Sequence, residues 1–82
     1  MNEVQIRDIV LDALSAVAPD ADTSGLAPDK SFRDQLDYFD SMDFFNFVVG
    51  LHKAFGIDIP EADYPRLSTL DACTRYFKTK LE

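Results

Sequence analysis

The residues best suited to chemistry are Asp40, Ser41 and Asp43, which stand together where a long apolar-rich segment begins. Either Asp40 or Ser41 can cap a helix there by accepting a hydrogen bond from a free backbone amide of its first turn. Asp43 falls in that turn, where negative charge suits the helix dipole. A phosphate ester on the serine would meet unpaired amides at the positive end of the helix. The pattern therefore indicates either an attachment site for a phosphate-linked group or a simple helix cap.

Nucleophilic catalysis has little support in the sequence. Hydrolysis by a serine needs a base and an oxyanion site, but the chain holds one histidine, His52, and no Gly-x-Ser-x-Gly turn. His52 is interpreted as a surface histidine, and Cys73 as a small core residue rather than a reactive thiol. We therefore expect a protein that is not an enzyme and has no catalytic residue.

Asp34, Asp37, Asp40 and Asp43 recur at every third position. This spacing does not fit the calcium-loop pattern, and the run lacks the glycine and the closing glutamate of that loop. We therefore predict no metal site. An acidic rim around the serine would instead steer basic partner enzymes toward it.

Composition and charge restrict the class of protein. An 82-residue chain is expected to form one domain, residues 1–82, near the lower size limit for a single hydrophobic core. A net charge of -7 argues against nucleic acid as a partner. No stretch approaches the roughly 20 apolar residues of a membrane span. With one cysteine and no signal-peptide pattern, the chain is expected to be a cytoplasmic monomer.

Apolar periodicity predicts a first helix over residues 3–17 and a second over residues 41–55. Residues 18–40 between them form a long loop, rich in turn residues, with room for a short helical turn. Gly50, inside the second helix, is attributed to close helix packing. We expect the loop to be held by its large apolar residues Leu26, Phe32 and Leu36.

The C-terminal part is predicted to hold a short helical turn and a last helix. Pro60 can start a turn over residues 61–64, and Pro65 is expected to close it. Ser68 with Asp71 resembles a capping box for the last helix. The core stripe of that helix is predicted to be Leu70, Cys73, Phe77 and Leu81. No strand pattern competes, so the fold class is all-α.

The second predicted helix has two apolar faces. The first, expected to face the core, comprises Phe44, Phe47, Val48, Leu51 and Phe55. Met42, Phe45 and Val49 form a second stripe, centred roughly 130° away around the helix. Exposed apolar patches usually mark binding sites, so this stripe predicts a partner surface. The alternative is that the long loop, or the bulky Tyr38 and Phe39, cover it.

A larger pattern surrounds the serine. It comprises Leu36, Asp40-Ser41-Met42-Asp43, Phe47-Val48, Leu51, Phe55 and Ile57-Asp58-Ile59-Pro60, and it extends to Ser31-Phe32 and Leu67-Ser68-Thr69-Leu70. In order and nearly in spacing, these residues resemble the acyl carrier protein family. The resemblance implies a small four-helix bundle, with three longer helices, one short helical turn, and a long loop between helices one and two.

The resemblance also implies a carrier function. A phosphopantetheinyl transferase would attach 4'-phosphopantetheine from coenzyme A to Ser41. The thiol of that arm would hold an acyl group as a thioester for delivery to acyl-loading and acyl-using enzymes. The protein would be a substrate of the transferase, not a catalyst. Together with the second stripe, the resemblance predicts the partner-contact residues Asp40, Met42, Asp43, Phe45, Val49, Ile59 and Glu61.

The sequence departs from the fatty-acid carrier pattern in its second helix. Asn46, His52 and Lys53 stand where such carriers usually show glutamates. We therefore expect a specialised carrier in a dedicated lipid or secondary-metabolite pathway. The volume of Phe44, Phe45 and Phe47, near the place where acyl carriers can sequester a chain, predicts short or polar cargo, or long cargo that stays outside.

Two other interpretations stay open. The chain could be a helical interaction module that binds a partner through Met42, Phe45 and Val49 and carries no prosthetic group. It could also be an aminoacyl or peptidyl carrier, which shares the fold and the serine. The reduced acidity of the second helix gives this second alternative some weight.

Overall fold

The computed structural model describes residues 1–82 and has helices but no named strand. Its long helices are α1 (Glu3–Val17), α3 (Ser41–Phe55) and α4 (Leu70–Leu81). A single turn, α2 (Phe32–Gln35), lies between α1 and α3, and two 3₁₀ segments span Thr23–Gly25 and Glu61–Leu67. The predicted all-α bundle of three longer helices, one shorter helical segment and a long first loop is confirmed.

α1 forms over the predicted residues because its ends are specified locally. The backbone N–H of Gln5 donates to the Asn2 side chain, and the N–H of Asn2 donates to the Gln5 side chain, both at 2.9 Å. The helix ends at Val17, two residues before Pro19. The face that α1 turns toward α3 and α4 buries Ile6, Val10 and Leu14 completely.

The connection between α1 and α3 is held by apolar and polar anchors. Phe32 and Leu36 are buried, as predicted, whereas Leu26 is only partly buried. Gln35 adds an anchor that the sequence does not indicate. Its side-chain amide donates to the Ala27 carbonyl at 2.9 Å and accepts from the Ala27 N–H at 2.6 Å. These bonds satisfy the backbone groups of Ala27, which lies outside any helix, and they hold this part of the connection against α2.

Thr69 caps α4, and the prediction of a capping box at Ser68 is wrong. The N–H of Ala72 donates to Thr69 Oγ1 at 3.0 Å. The Ser68 carbonyl instead accepts a hydrogen bond from the N–H of Phe32 at 2.9 Å. This bond joins segments that are distant in the sequence, and it sets the start of α4 one residue later than the local pattern suggests.

Pro65 does not close the short helical turn as predicted. It lies inside the 3₁₀ helix, which continues to Leu67. The fixed φ of proline is compatible with a 3₁₀ turn, so Pro65 need not end it. The longer helix carries Leu67 into the core, where this side chain is completely buried. We therefore attribute the extension of the 3₁₀ helix beyond Pro65 to the burial of Leu67.

The core stripe of α4 is correct for Leu70, Cys73 and Phe77, which are buried, but wrong for Leu81. Leu81 is 39% exposed because it lies in the last turn of the chain, beyond the packed part of the bundle. Tyr76, which the predicted stripe leaves out, is completely buried. A tyrosine can occupy this position because its ring packs like an apolar side chain while its hydroxyl reaches a polar partner.

That partner is Asp63 in the 3₁₀ helix. The Tyr76 hydroxyl donates to Asp63 Oδ2 at 2.8 Å, and the Arg66 guanidinium lies 4.9 Å from the centre of the tyrosine ring. Burial, followed by the bond to Asp63, raises the pKa of Tyr76 to about 12. The phenol therefore stays protonated near neutral pH, and it ties the 3₁₀ helix to α4.

Close packing does not explain Gly50, so that prediction is wrong. A methyl group on Gly50 would lie 3.7 Å from the Ala13 Cβ in α1, an ordinary van der Waals distance. Gly56 differs because its φ of 66° is the left-handed conformation that ends α3. Of these two glycines, only Gly56 is required by the backbone.

We expect Gly50→Ala to raise the free energy of unfolding by about 0.5–1 kcal/mol, because glycine loses more backbone entropy than alanine in a helix. The matched control is Gly56→Ala, which adds the same methyl group at a left-handed position and should cost about 1–2 kcal/mol. Urea unfolding followed by circular dichroism measures both changes. Equal destabilisation by the two substitutions would contradict the prediction.

Candidate functional site

α3 begins with two aspartates that cap each other. The N–H of Asp43 donates to Asp40 Oδ1 at 3.0 Å, and the N–H of Asp40 donates to Asp43 Oδ2 at 3.3 Å. Asp40 is therefore the N-cap, and Ser41 is the first residue of the helix. Both carboxylates also place negative charge at the positive end of the helix dipole.

Because Asp40 provides the cap, the Ser41 hydroxyl is free. Ser41 is exposed, and its side chain makes no hydrogen bond within the protein. The backbone N–H groups of Ser41 and Met42 also have no acceptor, since the cap satisfies the amide of Asp43. The interpretation of Ser41 as a helix cap is therefore wrong. A phosphate ester on its oxygen would find two free amides beside it, so these residues fit a phosphate-linked group.

Tyr38 and Phe39 take opposite positions in the approach to the serine. Tyr38 has a left-handed φ of 63° and its side chain is 99% exposed. Phe39 is buried and meets Phe32 edge to face, with ring centres 6.5 Å apart. The left-handed residue turns the chain so that the next side chain enters the core. Neither residue shields Met42 or Phe45, which are 66% and 47% exposed.

The second apolar stripe of α3 borders an open groove. Phe45 and Val49 line one wall, Ile59 and Tyr64 line the other, and the groove encloses about 420 Å³. His52 stands at its edge. Three of the predicted partner-contact residues, Phe45, Val49 and Ile59, are therefore brought together by the fold.

The other predicted partner-contact residues lie outside this groove. Met42 and Asp40 are exposed at the start of α3, and Glu61 is exposed at the start of the 3₁₀ helix. Asp43 borders a different open pocket, between the end of α1 and the segment that holds Tyr38. The structure thus separates the predicted set into an apolar groove and scattered polar positions.

A second cleft, of about 270 Å³, opens directly beside the serine. The residues that line it are Ser31, Phe32, Arg33, Ser41, Phe44, Tyr64, Pro65 and Ser68. Arg33 lies in α2 and Ser68 lies just before α4, and only the fold brings these segments to the start of α3. No local pattern in the sequence indicates that they line a common cleft. Both residues line the same cleft as Ser41.

Aromatic rings fill the interior behind this cleft. Phe32 and Phe47 meet edge to face with ring centres 5.3 Å apart, and Phe47 contacts Phe44 at 6.2 Å. Phe44 also meets Tyr64 edge to face at 6.4 Å. Edge-to-face packing of aromatic rings is favourable, so these contacts stabilise the filled interior behind the open cleft.

His52 and Cys73 are placed in structural surroundings. His52 Nδ1 lies 2.8 Å from the Ile57 carbonyl oxygen and 3.6 Å from Asp58 Oδ1, so the ring ties the end of α3 to the next segment. The Cys73 thiol donates to the Leu67 carbonyl at 3.4 Å, and burial raises its pKa. A thiol that stays protonated is a poor nucleophile.

The acidic side chains form no compact cluster. No group of three or more histidine, cysteine, aspartate or glutamate side chains is arranged to hold a metal ion. None of the helices is both long and apolar enough to cross a membrane.

Comparison with known proteins gives the context of this site. Residues 4–77 match the family described as "Phosphopantetheine attachment site". An acyl carrier protein of Rubrobacter xylanophilus is 31% identical over 88% of this chain and 82% of its own length. Acyl carrier proteins of Lactobacillus johnsonii and an Exiguobacterium species are 32% and 35% identical, over 96% and 92% of this chain and 96% of their own lengths.

The family match extends over nearly the whole chain and covers all of α3 and most of α1 and α4. It indicates a covalently attached 4'-phosphopantetheine as the cofactor and acyl carriage as the role. The helical bundle, the family match and the three relatives agree, and this chain belongs to the acyl carrier protein family.

Proposed function

We propose that Ser41 is the residue that carries the 4'-phosphopantetheine arm, and that the protein delivers acyl thioesters on it. The observation that carries this proposal is the free Ser41 hydroxyl, exposed at the start of α3 while Asp40 provides the cap. The arm supplies a thiol that holds the acyl group. The chain itself supplies the attachment point and the surfaces that partner enzymes contact.

The loading step is expected to need a partner enzyme, because the neighbouring carboxylates of Asp40 and Asp43 already accept the hydrogen bonds that cap α3. A phosphopantetheinyl transferase would provide both the base and a magnesium ion. The Ser41 oxygen attacks the phosphorus of coenzyme A that bears pantetheine, so a new P–O ester bond forms. The bond to the second phosphate breaks, adenosine 3',5'-bisphosphate leaves, and the hydroxyl proton passes to the transferase.

Incubation with coenzyme A and a broad-specificity transferase tests the attachment site. We expect one phosphopantetheine adduct on the wild-type protein and none on Ser41→Ala, measured by intact mass. The fold should tolerate this substitution within about 0.5 kcal/mol, because the hydroxyl makes no hydrogen bond.

The matched control is Ser68→Ala, which removes an exposed hydroxyl from the same cleft and should load fully. An adduct that survives Ser41→Ala would overturn the assignment. Absence of any adduct on the wild type would favour an interaction module without a prosthetic group. An amino acid on the arm of protein isolated from its host would instead indicate an aminoacyl or peptidyl carrier.

We further propose that the carrier serves a dedicated lipid or secondary-metabolite pathway. Asn46, His52 and Lys53 are exposed on α3, so enzymes that dock on this helix meet few negative charges beyond its first turn. The groove between Phe45 and Ile59 offers apolar contact instead. Partner enzymes that read a row of glutamates would bind this surface weakly, because charge complementarity governs encounter and specificity.

The loaded protein is therefore expected to be a poor substrate for general fatty-acid synthase enzymes. Replacing Asn46, His52 and Lys53 together by Glu should raise kcat/KM with those enzymes by about tenfold or more, equivalent to about 1.4 kcal/mol. The control replaces Arg7 and Arg75, exposed on α1 and α4, by Glu, which lowers the formal net charge equally. Equal gains from both variants would show a general charge effect and count against the proposal. Efficient turnover of the wild type by general fatty-acid synthase enzymes would also count against it.

The cargo that we propose is short or polar, or is held outside the core. The rings of Phe32, Phe44 and Phe47 occupy the interior behind the serine. The open cleft of about 270 Å³ lies below the about 300–1,000 Å³ of typical small-molecule sites. A long acyl chain would have to displace packed rings in order to enter, which costs free energy.

Chemical shifts of the aromatic rings test where the cargo lies. When a long saturated acyl chain replaces acetyl on the loaded protein, we expect little change at Phe47. In Phe44→Ala, where a cavity replaces one ring, the long chain should enter and shift the Phe47 signals strongly. Phe55→Ala, which opens space beside Phe77 at the other end of α3, is the control and should show no such effect. Strong Phe47 shifts in the wild type would contradict external cargo.

A further inference from the structure

Arg33 is the only charged residue among the eight that line the cleft beside Ser41. Its guanidinium has no ion pair and no hydrogen bond in the protein, although the chain has 15 acidic and 8 basic residues. The two ion pairs of the structure are His52 with Asp58 and Lys78 with Glu3. Among the Lys and Arg residues only Lys78 forms an ion pair, so what distinguishes Arg33 is its place in the lining of the cleft that holds Ser41.

Local structure explains why Arg33 is free. Asp37 follows it by four residues, a spacing that brings opposite charges together on a helix. However, α2 ends at Gln35, and the chain leaves the helical path before Asp37. Asp37 therefore lacks the helical register that would pair it with Arg33, and Arg33 lines the cleft without an ion-pair partner.

A phosphodiester on Ser41 would be repelled by neighbouring carboxylates, and Arg33 can offset this repulsion. The ester adds a negative charge next to the carboxylates of Asp40 and Asp43, which cap the same helix. Two free backbone amides offset only part of this repulsion. A guanidinium can donate two parallel hydrogen bonds to phosphate oxygens, and its charge is permanent. Because Ser41 and Arg33 line one small cleft, the arginine side chain is within reach of the ester.

We propose that Arg33 binds the phosphodiester formed on Ser41 and turns the base of the arm into the cleft bounded by Ser31, Tyr64 and Ser68. This inference rests on the attachment of the arm to Ser41. It adds that the arm is held against the carrier between encounters with enzymes. The hydroxyl-bearing residues of the cleft can then meet the amide groups of the arm.

The test uses the loaded protein, with the mass of each sample establishing that loading is complete. The Nε–Hε signal of Arg33 is followed by NMR in the unloaded and loaded wild type, together with the phosphorus signal of the ester. We expect the Arg33 signal to shift on loading, and to return toward its unloaded position as salt is raised, because salt screens an exposed ion pair.

Arg33→Gln should change the phosphorus shift and increase the mobility of the pantetheine signals. The matched control is Arg7→Gln, which removes the same charge from an exposed position on α1 and should leave both unchanged. Because the first measurement is made on the wild type, it does not depend on how any variant folds.

The outcomes separate this inference from the proposed function. Complete loading with an unchanged Arg33 signal would overturn the role of Arg33 while leaving the carrier function intact. A shift that appears only after the arm receives an acyl group with a free carboxylate would also overturn it, in favour of recognition of acidic cargo. Failure of the wild type to gain the mass of the arm would overturn both proposals.

Discussion

The start of α3 depends on two neighbouring residues with opposite requirements. Phe39 has to enter the core, whereas Asp40, next in the chain, has to present its carboxylate to the N–H of Asp43 at the surface. The left-handed turn at Tyr38 makes both possible. Because the cap is at Asp40, Ser41 becomes the first helical residue and its hydroxyl is not used by the fold. A cap one residue later would consume that hydroxyl.

One face of α3 packs in the core, and another face borders the groove that we assign to partner binding. Phe47 and Leu51 are completely buried against the rest of the bundle, while Phe45 stays about half exposed beside a groove. Leaving a large aromatic side chain in water forgoes hydrophobic stabilisation that the fold could otherwise gain. Such an arrangement is typical of surfaces that are covered by a partner. His52, bonded to the backbone at Ile57, fixes the edge of this groove.

Both negative and positive side chains lie near the serine. The carboxylates of Asp40 and Asp43 cap the helix, and the net charge of -7 gives the protein a negative field that attracts basic partner surfaces over long distances. Arg33 is the only charged residue that lines the cleft beside Ser41. The overall negative charge can therefore attract basic enzymes, while Arg33 offers one positive group to an anion at the serine.

The sequence by itself determined the elements whose signals are local. The bounds of α1 and α3 and most core positions of the long helices follow from caps and from helical periodicity. The pattern around Ser41 also indicated the family, because a motif that is weak alone became specific when joined to its apolar framework.

Only the tertiary structure decided the features that depend on contacts between distant segments. The cap of α4 lies at Thr69 because the Ser68 carbonyl accepts from the N–H of Phe32, and Tyr76 can be buried because its hydroxyl donates to Asp63. The spacing of apolar residues predicts which side of a helix faces the core. It contains no information about which loop packs against which helix. For the same reason the sequence could point to Ser41 but not to the cleft beside it, whose walls come from three separate segments of the chain.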